Sequence, residues 1–416
     1  MDTARAADRP RVRGSRRGAL LGPAFVAAIA YVDPGNVAAN LTAGSLYGYL
    51  LVWVLVGANL MAVLVQYLSA KLGLVTGKSL PGLLGERMPR TGRLLFWVQA
   101  EGVAAATDLA EVLGGAIALQ ILFGVPLLFG GLIVGVISTL LLLVQSRRGQ
   151  RPFEFVIMGL LAVITVGFLA GLFVSPVSWG GAAAGLVPRF DGTGTVLLAA
   201  SMLGATVMPH AIYLHSSLAH DRHGAEARER IGLPRLLRVT RWDVGLSLLI
   251  AGSVNIAMLL LAAASLPGVE GTDTIEGAHA AIADQLGPTI GVIFGIGLLA
   301  SGLASTSVGC YAGGAIMGGL LKVQVSLLAR RVVTLVPALV ILAVGVDPTW
   351  ALVLSQVALS IGIPFALIPL VRLTSSTAVM GSYANRIPMK AVAWLVVALI
   401  VALNGVLIVL TLTGQA

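Results

Sequence analysis

Long apolar stretches recur along the whole chain and set the first expectation about its fold. Each holds about 20 mostly apolar residues, the length of helix that crosses the hydrocarbon core of a bilayer. The pattern predicts an all-α polytopic membrane protein with about eleven transmembrane helices. The predicted spans are residues 19–46, 48–73, 93–122, 127–145, 153–174, 194–219, 241–266, 288–318, 330–346, 350–371 and 390–413.

Two of these spans, the first and the sixth, are interrupted by proline at Pro34 and Pro209. Proline removes a helix hydrogen-bond donor and clashes with the preceding turn, so both helices should be broken within the membrane. The two spans hold corresponding positions in two sets of five spans. Because each set has an odd number of crossings, the second set begins on the opposite side of the membrane and is inverted. This pattern predicts a 5+5 inverted repeat with a binding site at the breaks, as in many secondary transporters. The predicted parts are a basic tail at 1–18, repeats at 19–174 and 194–373, and an additional helix at 390–413.

Composition and charge narrow the class of protein. Of 416 residues, 57% are hydrophobic and only 11% charged, which excludes a soluble domain of this size. The net charge is +9, yet every basic residue except Arg189 falls on the cytoplasmic side if the N-terminus is cytoplasmic and the spans alternate. The charge therefore reports orientation and argues against nucleic-acid binding. With eleven spans, the C-terminus is predicted to be external.

The two breaks bring together residue types that suit a metal ion. Asp33 lies near the middle of the first span, where a carboxylate costs at least ~2.5–3.5 kcal/mol, so a functional role is favoured. A thioether favours transition metals over Ca²⁺ and Mg²⁺. The candidate ligands are the side chains of Asp33, Asn36 and Met208 and the freed carbonyls of Ala30 and Ala205. Two plainer interpretations stay open, namely that Asp33 caps the following half-helix and that Met208 only fills the core.

Other ionisable residues in the predicted spans could handle protons. His210 follows the second break and titrates near neutrality when unperturbed. In the third span, Asp108 and Glu111 project within about 20° and 80° of Glu101, so all three carboxylates share one side of the helix. They form either a proton pathway with an arginine partner, which we favour, or static salt bridges. Arg330 and Arg331 are the nearest basic candidates in the predicted topology.

At these residues the chain resembles the Nramp (natural resistance-associated macrophage protein) family of metal transporters, particularly its bacterial members. The matching motifs are Asp33-Pro34-Gly35-Asn36, Ala106-Thr107-Asp108-Leu109-Ala110-Glu111, Met208-Pro209-His210 and Leu354-Ser355-Gln356. The resemblance implies a LeuT-type fold and proton-coupled uptake of Mn²⁺ and Fe²⁺ across a bacterial inner membrane. Cd²⁺, Co²⁺ or Zn²⁺ would be tolerated.

The resemblance also implies roles for individual residues. Asp33, Asn36, Met208 and the carbonyl of Ala30 or Ala205 would bind the metal, and Gln356 would approach it in some conformations. The proton network would consist of Asp33, His210, Glu111, Asp108, Glu101 and Arg331. Metal ions and protons would be the transported partners, with no resident cofactor and no obligate protein partner.

Two other functions compete with metal transport. A sodium-coupled transporter of amino acids or other organic solutes could use the same architecture, with unwound backbone binding a carboxylate. An intramembrane metalloprotease would need a motif such as His-Glu-x-x-His, which the sequence lacks. We therefore expect a transporter rather than an enzyme.

Overall fold

The structure, a computed structural model, describes residues 21–272, 274–323, 325–345 and 348–413. Over these residues the chain is helical and contains no strand, which confirms the predicted all-α class. The predicted tail at 1–18 lies outside the described residues. In chain order the helices are α1 Pro23–Ala28, α2 Pro34–Tyr47, α3 Val52–Thr76, α4 Leu80–Arg87, α5 Arg90–Phe123, α6 Leu127–Arg148, α7 Gln150–Leu172, α8 Trp179–Ala184, α9 Gly192–Thr206, α10 Pro209–Arg222, α11 Ala225–Ile231, α12 Leu233–Ser265, α13 Ile275–Leu286, α14 Pro288–Leu321, α15 Leu327–Val344, α16 Pro348–Thr374, α17 Thr377–Met380 and α18 Ile387–Leu412.

Many of these helices are suited to a membrane. In the described part of the chain, eight helical segments are long and apolar enough to cross it, and a ninth arises if a pair bent by 73° after Thr374 counts as one span. Pro23–Val32 is a shorter apolar helical segment that enters the first break. The chain is therefore a multi-pass membrane protein, and the number eleven stays a prediction.

The largest boundary difference concerns the seventh predicted span, which was expected to begin at residue 241. Helix α12 begins at Leu233, with Pro234 in its first turn. Proline is favoured there because its missing N–H would be unpaired anyway. The additional turns carry Arg235 and Arg238. Because these turns are polar, a prediction based on hydropathy does not include them in the helix.

Glycine allows the central helices to approach closely. Helix α14 packs along α5 and α7. A Cβ atom added to Gly302 would lie 2.7 Å from Cα of Gly115, and one added to Gly167 would lie 2.6 Å from Cα of Gly297. The hydrophobic effect does not drive helices together in lipid. Small residues at such crossings stabilise the bundle because they allow close van der Waals packing.

Both predicted breaks are present. Helix α1 continues as a 3-10 helix over Ile29–Val32, Asp33 is extended, and α2 begins at Pro34. Helix α9 ends at Thr206, and α10 begins at Pro209.

The carbonyls freed at the first break are satisfied by other helices. Asn255 of α12 donates through Nδ2 to the carbonyl of Tyr31 at 2.7 Å, and Ser301 of α14 donates to that of Val32 at 2.5 Å. These bonds are needed because an unpaired backbone group costs several kcal/mol inside a membrane.

The role of Asn255 generates a prediction about stability. Its Oδ1 also accepts from Nδ2 of Asn40 at 2.9 Å, so Asn255→Ala leaves two buried polar groups unpaired. The unfolded state in the membrane also finds partners for such groups, so each bond contributes a net of only about 1 kcal/mol. We therefore expect a loss of about 1–2 kcal/mol and a lower midpoint of thermal unfolding in detergent. The control is Ser253→Ala, since the exposed Ser253 hydroxyl donates to the carbonyl of Leu249 within its own helix. Equal midpoints for the two variants would contradict this role.

Candidate functional site

The two breaks meet at the side chain of Asn36. Its Nδ2 donates to Oδ1 of Asp33 at 2.6 Å and to the carbonyl of Ala205 at 3.0 Å. All three residues are buried. Asn36 therefore ties the first broken helix to the second, and three of the predicted ligands lie within one hydrogen-bond network.

Asp33 also caps helix α2, as the plainer interpretation proposed. Its Oδ1 accepts from the backbone N–H of Asn36 at 2.9 Å. Capping does not exclude a second role, because a carboxylate offers about four acceptor sites on two oxygens. The break therefore places a capping carboxylate beside a freed backbone carbonyl of the other broken helix.

Gln356 of α16 approaches Asp33 across Gly35. A Cβ atom added to Gly35 would lie 2.1 Å from Nε2 of Gln356 and 3.1 Å from Oδ2 of Asp33. The amide and the carboxylate thus border the same space, and Gly35 leaves that space open. Within the described chain, neither polar atom of the buried Gln356 side chain has a hydrogen-bond partner.

Met208 and Ala30 occupy the two breaks and are fully buried. Met208 is the N-cap residue of α10, with φ −78° and ψ 127°, and so lies on non-helical backbone. Both residues belong to one cluster of packed apolar side chains. This placement agrees with the core-filling interpretation of Met208 and does not conflict with a ligand role, so coordination by its thioether stays a prediction.

His210 lies one residue beyond Pro209 and is buried. Neither of its ring nitrogens has a hydrogen-bond partner in the part of the chain that the structure describes. An unpaired buried imidazole is costly unless water or another polar group reaches it. His215, about one and a half turns further along α10, is by contrast hydrogen-bonded, because Oε1 of Gln66 lies 2.8 Å from its Nδ1.

The carboxylates of α5 face the two arginines of α15, as predicted. Nη1 of Arg331 donates to both oxygens of Asp108 at 2.6 Å, and both residues are buried. Arg330 lies 2.7 Å from Glu101, whose side chain is 23% exposed. These ion pairs agree both with a proton pathway that has an arginine partner and with static salt bridges, so both interpretations stay open for these two carboxylates.

Glu111 differs from the other two carboxylates. It is fully buried, and its oxygens make no hydrogen bond within 3.5 Å among the described residues. Three residues further along α5, a Cβ atom on Gly114 would lie 2.2 Å from Cβ of Pro34. Glu111 is thus one helical turn from the contact between α5 and the first break.

Sequence reasoning missed several polar residues of the site. The hydroxyl of Thr206 donates to the carbonyl of Met202 at 2.5 Å and lies 3.5 Å from Oδ1 of Asn36. Thr306 donates to Asp108. Gln66 donates to the hydroxyl of Tyr31 at 2.7 Å, next to the first break. The available signal was polarity inside apolar spans, which is weak because such residues often only bond to neighbouring helices.

A conventional metal cage is not found. No group of three or more His, Cys, Asp or Glu side chains within the described ranges could hold a metal ion. An ion at the breaks would meet one carboxylate together with amide, carbonyl and thioether groups. Such a mixed set of ligands suits an ion that is bound and then released, because conduction requires that binding not be too strong.

Three comparisons with known proteins agree with one another. Residues 24–410 match the family described as natural resistance-associated macrophage protein-like. The chain is 62% identical over 398 residues to the divalent metal cation transporter MntH of Mycobacterium tuberculosis, covering 95% of this chain and 92% of the relative. A solved manganese transporter of Eremococcus coleocola shares 30% identity with a TM-score of 0.86, covering 98% of this chain and 91% of that one.

A more distant structure shows the fold. Mhp1, a nucleobase-cation-symport-1 family transporter, is 15% identical with a TM-score of 0.59, and the match covers 94% of this chain and 91% of that one. This similarity supports the predicted LeuT-type fold. The family and the relatives are transporters and not enzymes, in agreement with the expectation from the sequence. The chain therefore belongs to the Nramp family.

Proposed function

We propose that this protein imports divalent transition-metal ions, chiefly Mn²⁺ and Fe²⁺, across a bacterial inner membrane together with protons. The observation that carries the proposal is the junction of the two broken helices at Asp33, Asn36 and the carbonyl of Ala205. The relatives named as divalent metal and manganese transporters support it. A sodium-coupled transporter of amino acids or other organic solutes is disfavoured, because a buried carboxylate at the breaks would repel the solute carboxylate that such a site binds.

The proposed ligands are Asp33, Asn36 and Met208 with the carbonyls of Ala205 and Ala30, and Gln356 stands beside them. The amide N–H groups of Asn36 donate to two of the oxygens that a cation would take. Binding therefore exchanges these two bonds for metal–oxygen contacts, and a rotation of the amide turns its oxygen towards the ion. The thioether of Met208 adds the preference for softer ions.

The proposed proton route leaves this site along α5. It begins at Asp33 and His210, passes Glu111, and continues through the Asp108–Arg331 pair to Glu101. From Glu111 to Glu101 the route spans about 15 Å along the helix axis. Arg331 pairs directly with Asp108, whereas Glu111 forms no salt bridge among the described residues and is the group best placed to exchange a proton with the site.

Orientation and internal repeats complete the proposal. The N-terminus is cytoplasmic and the C-terminus external, which places the basic loops on the cytoplasmic side. The repeats are residues 19–174 and 194–373, with 390–413 as an additional helix. No resident cofactor and no protein partner are required, since the metal ion and the proton are the transported species.

Asp33→Ala tests the proposed site directly. We expect loss of Mn²⁺ uptake into proteoliposomes in sodium-free buffer, because the variant removes the single anionic ligand. Asp33→Asn should fail as well, although it keeps an acceptor for the helix cap. The control is Asp191→Ala, since Asp191 is exposed and makes no side-chain cap bond. Uptake near the wild-type rate by Asp33→Ala would refute the site, and dependence on sodium would favour the competing function.

Glu111→Gln tests the proton route. The variant keeps the size of the side chain but cannot release a proton, so metal binding should persist while metal-driven acidification of the vesicle interior falls by about tenfold or more. Asp108→Asn should behave similarly. Glu86→Gln is the matched control, because Glu86 pairs with Lys78 at an exposed site. Equal loss of metal binding and proton movement in both α5 variants would show that these residues are structural.

Met208→Ala tests selectivity. We expect Cd²⁺ uptake to weaken strongly, Mn²⁺ uptake to weaken moderately, and Ca²⁺ and Mg²⁺ to compete better, because water can supply an oxygen in place of the thioether. Competition is measured as Mn²⁺ uptake against rising Ca²⁺ or Mg²⁺. Met202→Ala removes another fully buried methionine from α9 and controls for lost packing. If the two variants show the same competition curves, Met208 is only a packing residue.

A further inference from the structure

A basic cavity of about 540 Å³ is lined by none of the residues at the two breaks. It is formed near the end of α3, in the first turns of α12 and in the segment that leads into α18. Among the described residues, no acidic side chain lines it, whereas four cationic side chains do: Lys71, Arg238, Arg241 and Arg386. Because these helix ends carry basic residues next to long apolar segments, the cavity lies at the level of the lipid headgroups.

Two of the cations are held in place by uncharged partners. Nζ of Lys71 donates to Oδ1 of Asn385 at 2.8 Å. Nε of Arg241 donates to the hydroxyl of Tyr67 at 3.2 Å, and its guanidinium carbon lies 5.3 Å from the centre of that ring. These contacts orient the charges without neutralising them.

The other two cations are free to meet a ligand. Arg238 and Arg386 are exposed. None of the four cations forms a salt bridge with an acidic side chain in the described part of the chain. Four positive charges that share one cavity without a counter-charge repel one another, so the cavity favours an anion.

An apolar groove adjoins the cavity. It has a volume of about 400 Å³ and is lined by side chains of α3 and α18, and Met389 lines both spaces. On α3 the groove is lined by Leu60 and Leu64, and on α18 it extends to Val396. Val396 lies about 10 Å deeper along the helix than Met389. The groove therefore runs from the headgroup level into the hydrocarbon core on the lipid-facing side.

We propose that the basic cavity and the apolar groove together bind one anionic phospholipid, with its phosphate in the cavity and an acyl chain in the groove. Basic pockets between transmembrane helices at the cytoplasmic surface suit such headgroups. A soluble phosphate would satisfy the cations but would leave the groove unused. The exposed Trp242, next to Arg241, fits the same level because tryptophan concentrates at membrane interfaces. The lipid would link α18 to α3 and α12.

Native mass spectrometry of the full-length protein in detergent tests the proposal, with phosphatidylglycerol and phosphatidylcholine titrated separately. We expect preferential binding of phosphatidylglycerol. Arg238→Gln combined with Arg386→Gln should weaken it by about thirtyfold, which corresponds to about 2 kcal/mol for the two charges. The matched control is Arg147→Gln with Arg148→Gln, since these arginines are also exposed at a helix end but lie outside the cavity. Equal affinity for the two lipids, or equal losses in the two double variants, would overturn the site.

A second variant separates a lipid from a soluble anion. Val392→Trp fills the groove without touching the cavity, so it should weaken phosphatidylglycerol by about tenfold, whereas Val409→Trp, at an exposed position of α18 outside the groove, should not. Excess inorganic phosphate should leave most of the lipid bound. If phosphate displaces the lipid and Val392→Trp has no effect, the cavity binds a free anion and the lipid assignment is wrong.

Discussion

The structure depends on one constraint, that backbone groups released by the two broken helices must find partners where water is scarce. An orphan carbonyl in a bilayer costs several kcal/mol, so each break requires polar side chains from neighbouring helices. Asn255 and Ser301 meet this need at the first break, and Asn36 meets it for Ala205 at the second. The breaks thereby determine which helices must lie beside them, and α12 and α14 hold those positions.

The same constraint creates the chemistry of the site. A carbonyl that has lost its helical donor is a ready ligand for a cation, and a carboxylate at the start of the next half-helix supplies charge. In this protein Asn36 connects the two, because one amide reaches both the carboxylate of Asp33 and the carbonyl of Ala205. In the proposed site, stability and ion binding would use the same atoms, so that a bound ion would change how the two broken helices are held together.

The carboxylates of α5 differ in whether an arginine of α15 lies opposite them. On α5, Asp108 and Glu101 pair with arginines of α15, whereas Glu111 lies one turn from the first break and forms no salt bridge among the described residues. A nearby arginine lowers the cost of a carboxylate charge inside the membrane, and an unpaired carboxylate lacks that compensation. The position of each acid along one helix thus separates two carboxylates in ion pairs from one that forms none.

Much of this protein could be predicted from its sequence, because the relevant physics is local. Apolar length predicts the spans, and proline predicts the breaks at Pro34 and Pro209 whatever surrounds them. The acids of α5 fall on one side because helical periodicity alone places them there. The early start of α12 was not predicted, since polar turns outside the membrane carry no hydropathy signal.

Only the tertiary structure decided which groups meet. Asn36 and Ala205 are 169 residues apart, and no sequence pattern specifies that an amide of one break reaches the carbonyl of the other. The approach of Gln356 to Asp33 depends equally on how α16 packs against Gly35. The basic cavity also needs three helix ends to converge. Such contacts arise from the packing of whole helices, so the sequence alone determined which chemical groups were available, and the fold determined their partners.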